Sequence, residues 1–366
     1  MKVLYDSQIF NAQQYGGISR YYANLAKELH HIEDVTTSIL APTYINNYLP
    51  HISEYDRVFG FKSKVKWQST SRVFSHMACH LAIPLLGPDI IHKTYYYPER
   101  YPKSFGRSVL TVYDMIHELF PENFSSHDRT SNYKYKAVKR ADHVICISEN
   151  TKSDLLRLWD INPDKVSVVH LGFDSFTAQS NQPMTSNNDR LKDYILFVGA
   201  RKGHKNFERV LKAYSSKKAL SANFSLICFG GGSFNLDEEK QLKNLGLTNK
   251  VIQMSGSDVL LANLYQNADL FIYPSLYEGF GIPPLEAMSA GCPVAAAKIS
   301  CIPEVCGSAV EYFDPYDINS IALSLERVLG DSKYKENLSS LGYEQSDNFS
   351  WQKCAVETLE KYSLLY

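Results

Sequence analysis

Short apolar runs alternate with longer amphipathic stretches along almost the whole chain, and one polar segment with little to bury interrupts the alternation. Such a pattern builds parallel sheets flanked by helices, because neighbouring parallel strands need a helix-length crossover between them. In the first half it predicts strands at 2–5, 36–41, 89–92, 108–113, 143–147 and 166–170, with helices over 18–29, 129–140 and 149–159. Ser148 or Asn150 suits the cap of the last helix. Residues 177–189 are polar, small and proline-containing, the composition of a linker. A second series of strands follows at 194–198, 224–229, 251–254, 269–273, 293–297 and 309–312. Its helices fit 206–215, 236–245, 259–266 and 318–329, and only helical patterns, 333–346 and 351–364, come after. The expected class is α/β: an N-terminal domain over 1–176, a linker over 177–192 and a C-terminal domain over 193–350. Ligands are then expected at the carboxyl ends of the strands, in a cleft between the halves.

Glu278-Gly-Phe-Gly-Ile-Pro-Pro-Leu-Glu286 follows the 269–273 run and places two carboxylates eight positions apart. Gly279 and Gly281 carry no Cβ, so a ligand can come close to the backbone. Pro283 and Pro284 suit the first turn of a helix, predicted over 284–291. Free N–H groups and a partial positive charge at that helix start favour an anion such as pyrophosphate. Glutamates on either side of a phosphate site suit hydroxyls at both ends of one ligand, the layout of a nucleotide sugar. Taken alone, the segment is also a plausible structural turn.

Other candidates cluster at strand ends. Val198-Gly-Ala-Arg-Lys-Gly-His-Lys-Asn206 offers Arg201 as a planar fork and Lys205 as a compact charge for a diphosphate, beside Gly199. Phe229-Gly-Gly-Gly-Ser233 fits a plain turn as well as a phosphate neighbour. Gly16 and Gly17 bring backbone N–H groups towards a phosphate or sugar, or simply enter a helix. Asp114 and His117 follow the 108–113 strand, where a histidine can bond a sugar hydroxyl or exchange a proton near neutral pH. Tyr95 and Tyr113 suit an acceptor surface, with ordinary packing the rival. The basic and apolar residues of 59–67 fit an anionic bilayer surface or, more readily, a half-exposed strand or loop.

Bulk properties narrow the class. Hydrophobic content of 44% and charged content of 21% describe a globular protein. The chain lacks the roughly 18–20 consecutive apolar residues of a membrane span, and its N-terminus shows no secretory signal. Seven cysteines, an odd number, point to reduced thiols and a cytoplasmic setting. Cys292, Cys301 and Cys306 match no common zinc spacing, so no metal site is expected. A net charge of −1 argues against nucleic acid as a partner.

Together these residues resemble the family 4 retaining glycosyltransferases, whose E-x7-E motif the Glu278–Glu286 segment matches. The resemblance extends over nearly the whole chain. It takes in Ile147-Ser-Glu-Asn-Thr151, His170-Leu-Gly-Phe-Asp174, Ile302-Pro-Glu-Val305 and Phe313-Asp-Pro-Tyr316. It implies the GT-B fold, two Rossmann-like domains facing across a cleft, with the last helix, about 351–366, crossing back to the first. It also implies a catalytic set of Arg201, Lys205, Glu278, His117 and Asp114, with Arg201 and Lys205 on the donor diphosphate. Gly16, Gly17, Gly199, Gly279, Phe280, Gly281, Ile282 and Glu286 would line the donor site, Glu278 on the sugar and Glu286 on the ribose. Tyr95 and Tyr113 would face the acceptor. Many relatives read His-Asp where this chain reads Tyr113-Asp114, so His117 either replaces or neighbours the usual histidine.

The expected activity is retaining, metal-independent transfer of a sugar, with no cofactor, from a nucleotide-sugar donor. The acceptor is a glycan or lipid-linked oligosaccharide of O-antigen or capsule synthesis, with peripheral contact at the cytoplasmic face of the inner membrane a compatible reading. GDP-mannose is the preferred donor because residues 113–122 resemble those of mannosyltransferases. The rivals are a UDP-sugar donor, a nucleotide-sugar epimerase or glycan phosphorylase, and a non-catalytic glycan-binding subunit.

Overall fold

The structure, a computed structural model, describes residues 1–52, 57–63, 68–97, 101–176 and 193–366. The expected linker, 177–192, lies outside them, as do residues 64–67 of the basic-apolar stretch. Contacts divide the chain into two compact units: Met1–Gly172 with Ser350–Tyr366, and Phe173–Phe349. Phe173 to Phe176 pack with the second unit, where Phe176 stacks on Tyr265 and its N–H donates to Ser289 Oγ.

The first unit holds β1 (Lys2–Tyr5), β2 (Thr36–Tyr44), β3 (Arg57–Lys62), β4 (Ile90–Lys93), β5 (Arg107–Val112), β6 (His143–Cys146) and β7 (Val166–Val168). They form a parallel sheet in the order β3-β2-β1-β4-β5-β6-β7. β4 and β6 are buried at every position, as strands covered on both faces are, and their buried histidines, His92 and His143, are hydrogen-bonded. The chain winds outward from β1 to β3 and then restarts at β4 on the other side of β1. That reversal makes the carboxyl ends of β1 and β4 a topological switch point.

The last helix, Trp351–Ser363, belongs to this unit and lies against the helix Gly17–His30. Its Tyr362 hydroxyl bonds His92 Nδ1 at 2.6 Å, while His92 Nε2 meets Thr111 Oγ1 at 2.9 Å. A Cβ on Gly172 would stand 2.3 Å from the backbone nitrogen of Trp351, so only glycine admits this approach.

The half-exposed strand or loop expected at 59–67 is in part the strand β3, while the helix Gln68–Leu86 and the short helices Gln8–Ala12, Leu49–Ile52 and Ile116–Leu119 are absent from the sequence-based expectation. β3 contains Gly60 at φ +147°, where a Cβ would overlap the Ala41 carbonyl, so the strand looks broken in sequence but is needed for pairing. The helix Gln68–Leu86 is apolar on both its inner and outer faces and contains Pro84, which blurs the helical period. Other predicted boundaries move by a few residues; β2 extends to Tyr44 through an irregularity after Leu40.

The second unit holds β8 (Tyr194–Val198), β9 (Ser225–Phe229), β10 (Val251–Met254), β11 (Leu270–Tyr273), β12 (Val294–Ala297) and β13 (Glu311–Phe313). The order is β10-β9-β8-β11-β12-β13, again parallel. Here the winding reverses at β8, and the switch point falls between the carboxyl ends of β8 and β11. Those two ends carry the Arg201–Lys205 loop and the Glu278 loop.

Candidate functional site

After β8 the backbone turns at Gly199, whose φ of +125° disfavours any side chain and whose missing Cβ faces open space. A short 3-10 turn, Gly203–Lys205, then leads into the helix Phe207–Ser216 through Asn206 in the left-handed conformation, φ +57°. Asparagine tolerates that conformation better than most residues. Its side-chain amide donates to the carbonyls of Pro274, at 3.1 Å, and Pro315, at 2.8 Å. The N–H of Leu276 donates to the His204 carbonyl at 2.7 Å. The two loops of the switch point are thereby tied together.

Across this tie Lys205 Nζ donates to Glu278 Oε1 at 2.6 Å. Glu278 is 9% exposed. Its own backbone is held from behind: Ser300 Oγ and Cys301 Sγ both donate to its carbonyl, at 2.9 and 3.1 Å, and Cys301 also reaches the Phe280 carbonyl. Burial, reinforced by the charge of Glu278, pushes the Cys301 thiol well up, so it remains protonated and donates. Gly281, at φ +103°, starts the helix Ile282–Ser289 with Pro283 and Pro284 in its first turn. Glu286 lies on that helix, half-buried, and accepts from the Tyr265 hydroxyl at 3.3 Å. Phe280 is buried against Phe349, so it can offer a ligand little more than its backbone.

Arg201, expected with Lys205 on the donor diphosphate, is bonded to protein groups in this structure. Its guanidinium turns towards the loop after β9, where Nε donates to Glu238 at 2.9 Å, Nη1 to the Gly230 carbonyl at 3.0 Å, and Nη2 to the carbonyls of Gly232 and Ser233 at 2.9 and 3.1 Å. The side chain is nearly sealed from water. Burial pushes the Glu238 carboxyl up, but hydrogen bonds from Arg201 and the Asn235 backbone outweigh it and hold that carboxyl below its ordinary range. In this arrangement Arg201 staples the β8 and β9 loops. A hollow of about 730 Å³ borders Arg201, Asn206 and Glu238, and Glu278 is not among its walls.

The first unit gathers the remaining candidates at the carboxyl ends of its own strands. Gly16 precedes the helix Gly17–His30, and a Cβ there would overlap the Gln13 side chain, whose oxygen accepts from the Ser19 N–H at 3.2 Å. A Cβ on Gly17 meets nothing within 4 Å. The Gln13 amide ends a flexible side chain and can move aside, so packing does not by itself require glycine at Gly16, and Gly17 faces open space. Asp114 accepts from the Ile116 N–H and has Lys134 Nζ 3.6 Å away. Lys134 is buried; it donates to the Asp114 carbonyl and to Glu118, each at 2.8 Å. His117 stacks on Phe124 at 3.8 Å, with Nε2 3.8 Å from Asp128, on the wall of a 490 Å³ cavity. Burial and then Lys134 lower its pKa below the ordinary histidine value, favouring the neutral ring. Tyr113 is buried against Tyr21 and Tyr96, so its ring belongs to the aromatic core and presents no open face. Tyr95 is half-buried beside Tyr96 and Tyr97.

Asn206, Ser300 and Cys301 escape reading from sequence because each acts on backbone groups distant along the chain. The seven cysteines are all buried and unbridged. Among the described residues no group of three or more potential ligands is placed to hold a metal ion.

Comparison with known proteins bears on what this arrangement serves. Residues 15–175 match the family model described as Glycosyltransferase Family 4, and residues 179–345 match Glycosyl transferases group 1. The chain is 30% identical over 288 residues to O-antigen chain mannosyltransferase B of Escherichia coli, covering 75% of each protein. It is 26% identical over 312 residues to the serotype-specific mannosyltransferase WbdA of the same species, covering 78% of this chain but only 38% of WbdA. Among solved structures, Anabaena Alr3699/HepE in complex with UDP and glucose superposes with a TM-score of 0.75 at 17% identity, covering 99% of both chains.

Proposed function

The chain belongs to the family 4 glycosyltransferases and has their GT-B architecture, and from that premise we propose that it transfers mannose from GDP-mannose to a glycan or lipid-linked oligosaccharide acceptor of O-antigen synthesis, with retention of anomeric configuration. The observation that carries the chemistry is the Lys205–Glu278 pair at the β8/β11 switch point. A lysine ammonium has three N–H donors. One engages Glu278, leaving two for diphosphate oxygens. The Glu278 carboxylate also meets the Tyr273 side chain, and with about four acceptor sites it can still take a sugar hydroxyl. As the bond to the anomeric carbon breaks, charge grows on the diphosphate, and a preformed cation beside a helix N-terminus stabilises it without reorganisation. No enzymic nucleophile or metal ion is assigned; the departing phosphate takes the acceptor proton on the same face. Glu286 is assigned to the ribose. His117, kept neutral, is assigned to a sugar hydroxyl.

The mannosyl donor is supported by the names of the curated relatives, O-antigen chain mannosyltransferase B and WbdA. A UDP-sugar remains the second reading, because the structure that superposes on this fold was solved with UDP and glucose. Thermal shift with GDP, UDP and their sugars separates the two, since a ligand of the native state raises the melting temperature. A shift with GDP and GDP-mannose, followed by mass-spectrometric detection of a mannosylated acceptor with retained configuration, is the expected outcome. Stabilisation by UDP alone overturns the donor assignment, and an inverted product overturns the mechanism.

A further inference from the structure

The helix Gln68–Leu86 has two apolar faces and only one of them is covered. Cys79 and Ile83 are buried in a cluster with Leu4, Leu40 and Ile91, and Ser75 on the same face bonds Thr43. Facing away, Val73, Phe74, Met77, Leu81 and Leu85 are 63, 55, 64, 77 and 87% exposed. At about 100° per residue these five fall within an arc of about 120°, centred opposite the Ser75–Cys79–Ile83 row. Phe61, on the neighbouring strand β3, is 62% exposed. An ordinary surface helix turns polar residues outward, so an apolar outward row marks an interaction surface.

Charge selects the partner. Residues 57–88 contain five Lys and Arg and no Asp or Glu. Arg57 and Lys62, on β3, are both exposed. A second copy of the chain docking through the same face would bring two basic segments together, and that self-complementary contact is repulsive. An anionic bilayer satisfies both features, taking the apolar row into the acyl boundary while the cations stay at the headgroups. Among the described residues no helix is long and apolar enough to cross a membrane, so the helix would lie in the interface.

We propose that the outward face of the helix Gln68–Leu86 docks the protein onto an anionic phospholipid bilayer. The inference deepens the preceding functional reading and rests on it only for its use, to meet a lipid-linked acceptor at the membrane surface.

The test is sedimentation of the full chain with vesicles of phosphatidylcholine alone and of phosphatidylcholine mixed with phosphatidylglycerol. Binding to the mixed vesicles should exceed binding to the neutral ones at least about tenfold and weaken with added salt. The double variant Leu81→Asp/Leu85→Asp should bind the mixed vesicles at least about tenfold more weakly. Its melting temperature and its transfer to a water-soluble acceptor should match those of the wild type. Equal partitioning of variant and wild type, or no wild-type binding to anionic vesicles, overturns the docking surface and leaves the transferase reading intact. A solution dimer that the same double variant dissociates assigns the face to a second copy and also overturns it. Failure of the wild type to transfer to any acceptor strikes the functional reading alone.

Discussion

Replacing Arg201 by methionine separates a staple from a phosphate ligand. The structure gives this guanidinium a carboxylate and three carbonyls as close partners within one turn, with the side chain almost fully enclosed. Hydrogen bonds to a charged group contribute about 1.5–3 kcal/mol each when lost from a buried site. Glu238 is partly exposed and Gly231 to Ser233 lie at the surface, so water recovers much of that on truncation. The net cost should therefore be about 3 kcal/mol, or about 6–12 °C in melting temperature for a unit of this size. Arg201→Lys should recover less than half, because one ammonium cannot span the carboxylate and the carbonyls together. The cost also depends on pH. The Glu238 carboxyl is held below its ordinary 4.5 in the folded chain, so its contribution is present above about pH 4.5 and is lost as pH falls through the lower folded value. The gap between wild type and Arg201→Met should narrow over that window. Calorimetry at several pH values measures it, with steady-state transfer kinetics run in parallel. Lys205→Met should behave oppositely, with a small thermal shift and a fall in kcat of about 100-fold or more. An Arg201→Met protein that melts like wild type yet loses about 100-fold in turnover would refute the staple and restore Arg201 to the diphosphate.

Glu286→Ala should raise the donor KM with kcat nearly unchanged, and a collapsed kcat at constant KM would contradict the ribose assignment. Lys134→Met leaves the Glu118 carboxylate buried without its cation and should cost about 3–5 kcal/mol in urea unfolding, much of it recovered in the Lys134→Met/Glu118→Leu double variant. His92 is buried between Tyr362 and Thr111, and burial lowers its pKa to about 3. The unfolded chain gains a proton below about pH 6.5 that the folded chain refuses, so stability should fall by up to about 1.4 kcal/mol per pH unit from this group. Urea titrations of His92→Gln between pH 7.5 and pH 5 should show a shallower fall than the wild type.

Periodicity alone was enough to reveal two α/β series and most of the strands, because parallel strands buried on both faces are short, mainly apolar runs set between longer amphipathic stretches. The Glu278–Glu286 segment was equally legible: glycines, prolines and paired carboxylates are local chemistry, and neighbouring residues suffice to read it. What sequence could not carry was direction and contact over distance. Whether Arg201 points at a ligand or at the Gly230–Ser233 turn depends on a loop some thirty residues away. That Asn206 holds Pro274 and Pro315, and that Ser300 and Cys301 brace Glu278, follows only once β8, β11 and β12 lie side by side. Tyr113 shows the same limit, since packing against Tyr21 and Tyr96 turned an expected acceptor contact into core. The outward apolar row of the helix Gln68–Leu86 hid for the converse reason. With apolar residues on two faces only the short Arg72–His76–His80 row marks the helical period, and only the folded unit distinguishes the face that is buried from the face left bare.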